Sequence, residues 1–327
     1  MELIKDLQIK FDTYLVSNKL SRNPINLYEP ADYILSLGGK RLRPVFTLLG
    51  SVLFGGKSEK ALDAAMAVEV FHNFTLIHDD IMDQAEVRRG YPTVHLKYNT
   101  NTAILSGDVM MIQAYQYLLC YDDPVLVKDM LQVFNKMAAE VCEGQQMDMD
   151  FETLEMVTIG DYLEMITKKT SVLMGASFRL GAMIAGAGIQ DQVHIYEFAK
   201  NFGIAFQLQD DVLDTFGDGS QVGKKIGGDI VQNKKTYLYL KAMELSDNSQ
   251  QDTLIQLYSS KNIGFNPENK IEQVTQIFES VNVREYTSQL IEAYKDLAIS
   301  HLMACNVDEN IKQQLIGFIN EMIYRDH

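Results

Sequence analysis

The chain has 327 residues, 46% of them hydrophobic and 22% charged, and a net charge of −15. That composition excludes a disordered chain, and strong acidity without a basic stripe excludes a nucleic-acid partner. Three widely spaced cysteines, Cys120, Cys142 and Cys305, exclude a disulfide framework and fit reduced thiols in a cytoplasmic protein.

With only 6 prolines, no tryptophan and 16 methionines, the composition favours helix. The amphipathic start, MELIKDLQIKFDTYL, has no signal-peptide core and predicts a helix over Leu3 to Val16. A second is expected over Asp32 to Leu37, ending at Gly38-Gly39. Pro44 then suits the first turn of PVFTLLGSVLF. SEKALDAAMAVEVFHNFTLIHDDIMDQA, with Ser58 as a candidate cap, reads as one long helix. TNTAILSGDVMMIQAYQYLLC is another, and Asp123-Pro124 marks the turn after it. Helical patterning continues over 125–148, 161–187, 191–216, 232–247 and 285–324, while alternating strand-like runs are nearly absent. Residues 248–284 have no clear pattern, and GFNPENK within them reads as a loop. No apolar run reaches transmembrane length. The expectation is an all-α chain forming a single domain over 1–327.

Two stretches interrupt this apolar helical pattern with acid. LIHDDIMD carries Asp79, Asp80 and Asp83, and FQLQDDVLD carries Asp210, Asp211 and Asp214. On a helix, Asp79 and Asp83 share a face, and Asp80 lies on the adjoining one. Like charges so close repel, more strongly against an apolar wall. A solvated acidic face would explain one such cluster, but two copies point to function. Carboxylate clusters suit hard cations, and Mg²⁺ is commonly held by one or two carboxylates plus substrate phosphates. Such an ion inverts the local field, so the acidic net charge does not forbid an anionic substrate.

Basic groups recur beside the acidic clusters. GGKRLRP puts Lys40, Arg41 and Arg43 on a glycine turn that opens a helix, a sensible anion site. Arg88 and Arg89 follow the first cluster, and arginine forks match diphosphate oxygens. Lys168, Lys169 and Thr170 form a third point, and Lys224, Lys225, Lys234 and Lys235 a fourth. GDGSQVGKK fails as a nucleotide P-loop, because Asp218 and Lys225 occupy required Gly and Ser/Thr positions. The stretch 217–228 reads instead as a flap. His72 lies two helical turns before Asp79 on the same face and is a candidate diphosphate ligand. His78 faces elsewhere and is assigned no role.

Taken in order, GGKRLRP, HNFTLIHDDIMDQAEVRRGYPTVH, LSGD, EGQQMD, KKT, FQLQDDVLD and GKKIGGDIVQNKKT resemble the trans-polyprenyl diphosphate synthases, of the short-chain kind that makes farnesyl or geranylgeranyl diphosphate. The resemblance spans residues 30 to 240. It implies an isoprenoid-synthase helical bundle around a deep central apolar cavity, and a homodimer. It implies that Lys40, Arg43, His72 and Arg89 hold the diphosphate of isopentenyl diphosphate. Asp79, Asp83 and Asp210 would bind Mg²⁺, three ions per site, bridging to an allylic diphosphate (dimethylallyl, geranyl or farnesyl), with Asp214 acting through water. Arg88, Lys169 and Lys224 would grip that second diphosphate. Thr170 and Gln207 would sit near the carbocation, Lys234 would help close the site, and Asp148 would join the polar wall. Gly228 departs from the pattern, since many members have lysine there.

The reaction so implied ionises the allylic C–O bond, adds the double bond of isopentenyl diphosphate to the cation and loses a proton, plausibly to the departing diphosphate. Water must be kept out. A class I terpene cyclase shares the ionisation, but it usually lacks GGKRLRP and a full second DDxxD. A non-catalytic partner subunit would generally have lost aspartates. For product length, Phe74 lies five residues before Asp79, about 7.5 Å along a helix, and its neighbour Thr75 is small. In the resembled family an aromatic here blocks the growing tail. One aromatic with a small neighbour resembles the arrangement that yields the C20 product, geranylgeranyl diphosphate, with farnesyl diphosphate the alternative. Phe71 stands one turn further on as a second barrier.

Overall fold

The computed structural model describes residues 2–217, 227–259 and 266–324. Helices come in the order α1 (Glu2–Ser17), α2 (Ile25–Ser36), α3 (Leu42–Leu53), α4 (Leu62–Met82), α5 (Val94–Lys97), α6 (Thr100–Leu118), α7 (Pro124–Thr153), α8 (Ile159–Ile166), α9 (Val172–Ile184), α10 (Ile189–Phe216), α11 (Gly228–Val231), α12 (Tyr237–Leu245), α13 (Asn248–Leu257), α14 (Pro267–Ser280), α15 (Val283–Ala304) and α16 (Glu309–Ile323). The only strands among the described residues are β1 (Val87–Arg88) and β2 (Tyr91–Pro92), an antiparallel pair. Arg89 and Gly90 between them both have positive φ, 54° and 81°, the geometry of a tight hairpin turn matched to strand twist.

Several elements differ from expectation. The second helix starts at Ile25, seven residues early, and carries Pro30 inside it. The long fourth helix begins after a 3₁₀ turn, Ser58–Ala61, and Ser58 caps nothing. The expected helix over 161–187 is interrupted by a π turn, Thr167–Ser171, and the helix over 285–324 breaks between Ala304 and Glu309. The described residues of 248–284 are largely helical. Asp247 and Gln250 form a reciprocal capping box for α13. Asn266 caps α14 with Pro267 at its first position, so the N-P-E of GFNPENK opens a helix.

The chain divides into two compact units. The first holds 1–138, 173–197 and 301–314, and the second 139–172, 198–300 and 315–327. Every boundary between these segments falls within a helix. In the first unit, α3 and α9 pack backbone to backbone: a Cβ on Gly50 would lie 2.3 Å from the Phe178 carbonyl, and one on Gly181 2.0 Å from that of Thr47. Phe46 and Phe178, ring centroids 4.6 Å apart, fill the core beside them. In the second unit, Lys270 of α14 is buried and donates to the Ile230 carbonyl and to Asn233 Oδ1, both at 2.5 Å. This ties α11 and the turn before Lys234 to α14. Burial pulls the Lys270 ammonium down to about 8.

Candidate active-site residues

In the first unit the glycine turn is built from left-handed backbone. Gly38, Gly39 and Arg41 have φ of 77°, 127° and 50°. The glycines adopt this freely, whereas Arg41 is strained and must be held by its surroundings. Its guanidinium is 4% exposed and pairs with the 2%-exposed carboxylate of Glu69 at 2.5 Å. It also donates to the Leu35 carbonyl and lies 3.6 Å from Asp12. Arg41 is therefore an internal anchor, and the turn presents its neighbours instead. Lys40 is exposed. Arg43, in the first turn of α3, has Nη1 3.3 Å from Nε2 of His72. Arg89 reaches across from the hairpin and donates to the Gly38 carbonyl. Its guanidinium lies 2.9 Å from where a Cβ at Gly39 would sit, and the φ of 127° there is one that glycine alone adopts without strain.

Arg43, His72 and Arg89 thus converge on the turn that carries Lys40. Burial, then the charges of Arg43, Arg89, Arg88 and Arg41, holds the His72 imidazole well below its ordinary value. A neutral imidazole among guanidinium groups marks a strongly positive surface suited to a diphosphate. It also sets a pH dependence. The folded value is depressed, so the unfolded chain binds the extra proton first, and stability present above pH 6.5 is lost as pH falls below it. Urea midpoints at pH 7.5 and 5.5 should therefore differ more for the native chain than for His72→Gln.

Both acidic clusters sit at helix C-termini, where the dipole already favours cations. Asp79 lies in the last turn of α4, and Asp83 is its C-cap, with its N–H on the Asp79 carbonyl at 2.8 Å. Asp80 behaves differently. It is 1% exposed and takes three bonds of 2.7–2.9 Å from Nε and Nη2 of Arg88. In α10 the middle aspartate is again turned inward. Asp211 is buried and accepts from the Tyr162 hydroxyl and from Gln207 Nε2 at 3.1 Å. Burial and then the Asp229 charge push its carboxyl well above the usual range, against the Tyr162 and Gln207 hydrogen bonds. Asp214 Oδ2 accepts from the Asp229 N–H at 2.9 Å, at the start of α11. Gly228 lies against that carboxylate, 3.2 Å from its would-be Cβ to Oδ1.

In each cluster, then, the middle aspartate is turned inward, Asp80 to Arg88 and Asp211 to Tyr162 and Gln207, and the expected cation ligands are the flanking pairs, Asp79 with Asp83 and Asp210 with Asp214. No group of three or more His, Cys, Asp or Glu among the described residues is arranged to hold a metal. The donor set fits Mg²⁺, which takes one or two carboxylates and completes its shell with phosphate oxygens and water.

The remaining residues of the second unit gather around a cavity of about 120 Å³ lined by Asp148, Lys169, Thr170, Gln207 and Lys234. Asp148 is the hub, 2.6 Å from Lys169 Nζ and 3.9 Å from Lys234 Nζ. Burial alone would raise its carboxyl, but Lys169 and Lys234 outweigh that and bring it below the usual range. Thr170 Oγ1 donates to Gln207 Oε1 at 3.3 Å. The π turn creates this arrangement. It sets Lys168 toward Glu143 and Glu164, at 3.1 and 2.9 Å, and Lys169 toward Asp148. Two glycines let neighbouring backbones close on the turn. A Cβ on Gly144 would meet Lys169 N at 2.3 Å, and one on Gly203 would meet Ser171 Cα at 2.9 Å.

Lys224 and the core of the expected flap lie outside the described residues. Tyr162 and Glu69 went unnoticed in the sequence. Tyr162 sits two turns before Lys169, and Glu69 one turn before His72, spacings that would have flagged both.

The described residues contain no helix long and apolar enough to cross a membrane. Residues 24–280 match the model of the polyprenyl synthetase family. The chain is 43% identical over 222 residues to the geranylgeranyl diphosphate synthase of Methanosarcina mazei, covering 68% of each. It is 36% identical over 330 residues to the geranylgeranyl pyrophosphate synthase of Geoglobus acetivorans, covering 100% of this chain and 99% of that one. A crystal structure of a geranylgeranyl pyrophosphate synthase superposes with a TM-score of 0.94 at 44% identity, covering 98% of both chains. The helices are those of the all-α isoprenoid-synthase fold, and the chain belongs to the polyprenyl synthetase family.

Proposed function

We propose that this chain is a chain-elongating prenyltransferase that condenses isopentenyl diphosphate with an allylic diphosphate and releases geranylgeranyl diphosphate as its main product. The observation that carries the reading is the pairing of two carboxylate couples at helix C-termini with separate basic clusters. The names of the relatives support the C20 product. The family match runs through both compact units, and their boundaries fall inside helices. Both facts support one synthase domain over the whole chain.

Lys40, Arg43, His72 and Arg89 hold the diphosphate of isopentenyl diphosphate. Lys169 and Lys224 hold the allylic diphosphate. Asp148 orients Lys169 and Lys234 so that their ammonium groups meet charge leaving the allylic carbon. Asp79 with Asp83, and Asp210 with Asp214, would hold Mg²⁺, expected at three ions per site, which would supply charge neutralisation for a diphosphate leaving group. Thr170 and Gln207, hydrogen-bonded to each other on the cavity wall, supply the oxygen dipoles that stabilise a cation there. Phe151, Met165 and Ile166 on its wall exclude water that would quench that cation. Incubating the purified chain with isopentenyl diphosphate and dimethylallyl, geranyl or farnesyl diphosphate, with and without Mg²⁺, should give a C20 product by mass spectrometry. A cyclised hydrocarbon, or no elongation, would refute the assignment.

The active form is a cytoplasmic homodimer. The absence of a disulfide at Cys120, Cys142 and Cys305 supports the compartment. Leu105, Ile112 and Leu119, seven residues apart along α6 and its cap, are 58%, 55% and 57% exposed. This apolar stripe is suited to a partner helix. Leu105→Glu with Ile112→Glu should convert a dimer near 74 kDa, about twice the 37.1 kDa chain, to monomer by sedimentation. An unchanged mass would place the interface elsewhere.

A further inference from the structure

Phe71, Phe74 and His78 fall at i, i+3 and i+7 on α4 and stack as a column. The Phe71 and Phe74 centroids are 5.5 Å apart, and those of Phe74 and His78 are 4.9 Å apart with the rings at 71°. The lower end of the column is locked, because Phe71 and Phe134 are both fully buried with centroids 5.2 Å apart. Tyr115 packs on Phe134 at 5.1 Å. Phe74 alone among the three phenylalanines keeps some access, at 7%. Its freedom is therefore set from above, by His78.

His78 is itself wedged in place. Its Nε2 lies 3.2 Å from the Ile104 carbonyl and 4.0 Å from Asp108 on α6. A Cβ on Gly107 would sit only 2.3 Å from that nitrogen, so the imidazole occupies the space where a side chain on α6 would be. Thr75, beside Phe74, has its hydroxyl satisfied by the His72 carbonyl at 2.8 Å and offers no competing contact. Dense packing transmits the position of one ring to the next.

We propose that His78 is a specificity-determining residue that sets product length by holding the Phe74 ring across the path of the growing prenyl tail. This rests on the elongation reading and on Phe74 as the floor. Removing the imidazole leaves a void between α4 and α6 into which the Phe74 ring turns, and the tail gains room. His78 touches neither diphosphate, so its loss changes what is made rather than how substrate binds.

The test is the product distribution by mass spectrometry from farnesyl and isopentenyl diphosphates for native enzyme, Phe74→Ala, His78→Ala, His78→Phe and Gly107→Ala. Phe74→Ala should make products beyond C20. His78→Ala should raise the ratio of C25 to C20 at least tenfold, with KM for both substrates within twofold of native. His78→Phe, which restores a ring, should return the ratio toward native. Gly107→Ala displaces the imidazole from the α6 side and should shift the ratio in the same direction as His78→Ala. It decides the matter if His78→Ala does not fold. Native products from His78→Ala or folded Gly107→Ala, with longer products from Phe74→Ala, overturn the proposal and leave the floor intact. Native products from Phe74→Ala overturn the floor and the proposal together, while C20 synthesis by the native chain still stands.

Discussion

Replacing Asp79 by Ala should lower kcat by roughly 10³-fold, about 4 kcal/mol of lost transition-state stabilisation. On the proposed reading Asp79 and Asp83 are the cation ligands of the first cluster, and the buried Asp80 is paired with Arg88. With one ligand gone, the leaving diphosphate keeps charge that the protein can no longer neutralise. The fold should survive, because deleting one of several clustered negative charges relieves repulsion. Circular dichroism and the urea midpoint should match the native chain. Near-native turnover at limiting Mg²⁺ would remove Asp79 from the metal site.

Replacing Glu69 by Ala should have the largest effect on stability, about 3–5 kcal/mol. It strips the partner from Arg41, whose guanidinium is 4% exposed. It also removes the acceptor of a 3.0 Å bond from Asn73 Nδ2. Asp12, 3.6 Å away and half exposed, recovers only part of the loss. Arg41 holds a left-handed backbone one residue after Lys40 and two before Arg43, so the variant should also bind isopentenyl diphosphate more weakly. A urea midpoint within 0.5 kcal/mol of native, the scatter of ordinary surface substitutions, would show that the pair does not hold the turn.

The face geometry of the acidic clusters could be read from sequence because it is local. The 3.6-residue period separates Asp80 from the face shared by Asp79 and Asp83, and the inward turn of the middle aspartate follows from it. Its partner did not follow, because Arg88 meets Asp80 only after the chain leaves α4 and enters β1, a strand of two residues, too short for strand alternation to register. The same limit hid the Tyr162–Asp211 bond, which joins residues 49 apart. Residues 248–284 were misread for a different reason. Asp247 and Asn266-Pro267 are turn-forming residues, and here they serve as helix starts. Both roles satisfy exposed N–H groups in the same way, and only the length of the following apolar pattern tells them apart.

The π turn at Thr167–Ser171 constrains how this chain can diverge. A π turn holds more residues than an α turn, so losing one residue there would restore a regular helix while rotating Lys169 and Thr170 away from Asp148 and Gln207. Length at this point is as strictly set as residue type. Positions 144 and 203 are bound to it as well, since both must stay without a side chain for the wider turn to fit. A change in length at one place and of bulk at the other two would have to occur together. A lineage that alters any one of them alone loses the alignment of its lysine, so the three positions form one unit of inheritance although 59 residues separate the outermost pair.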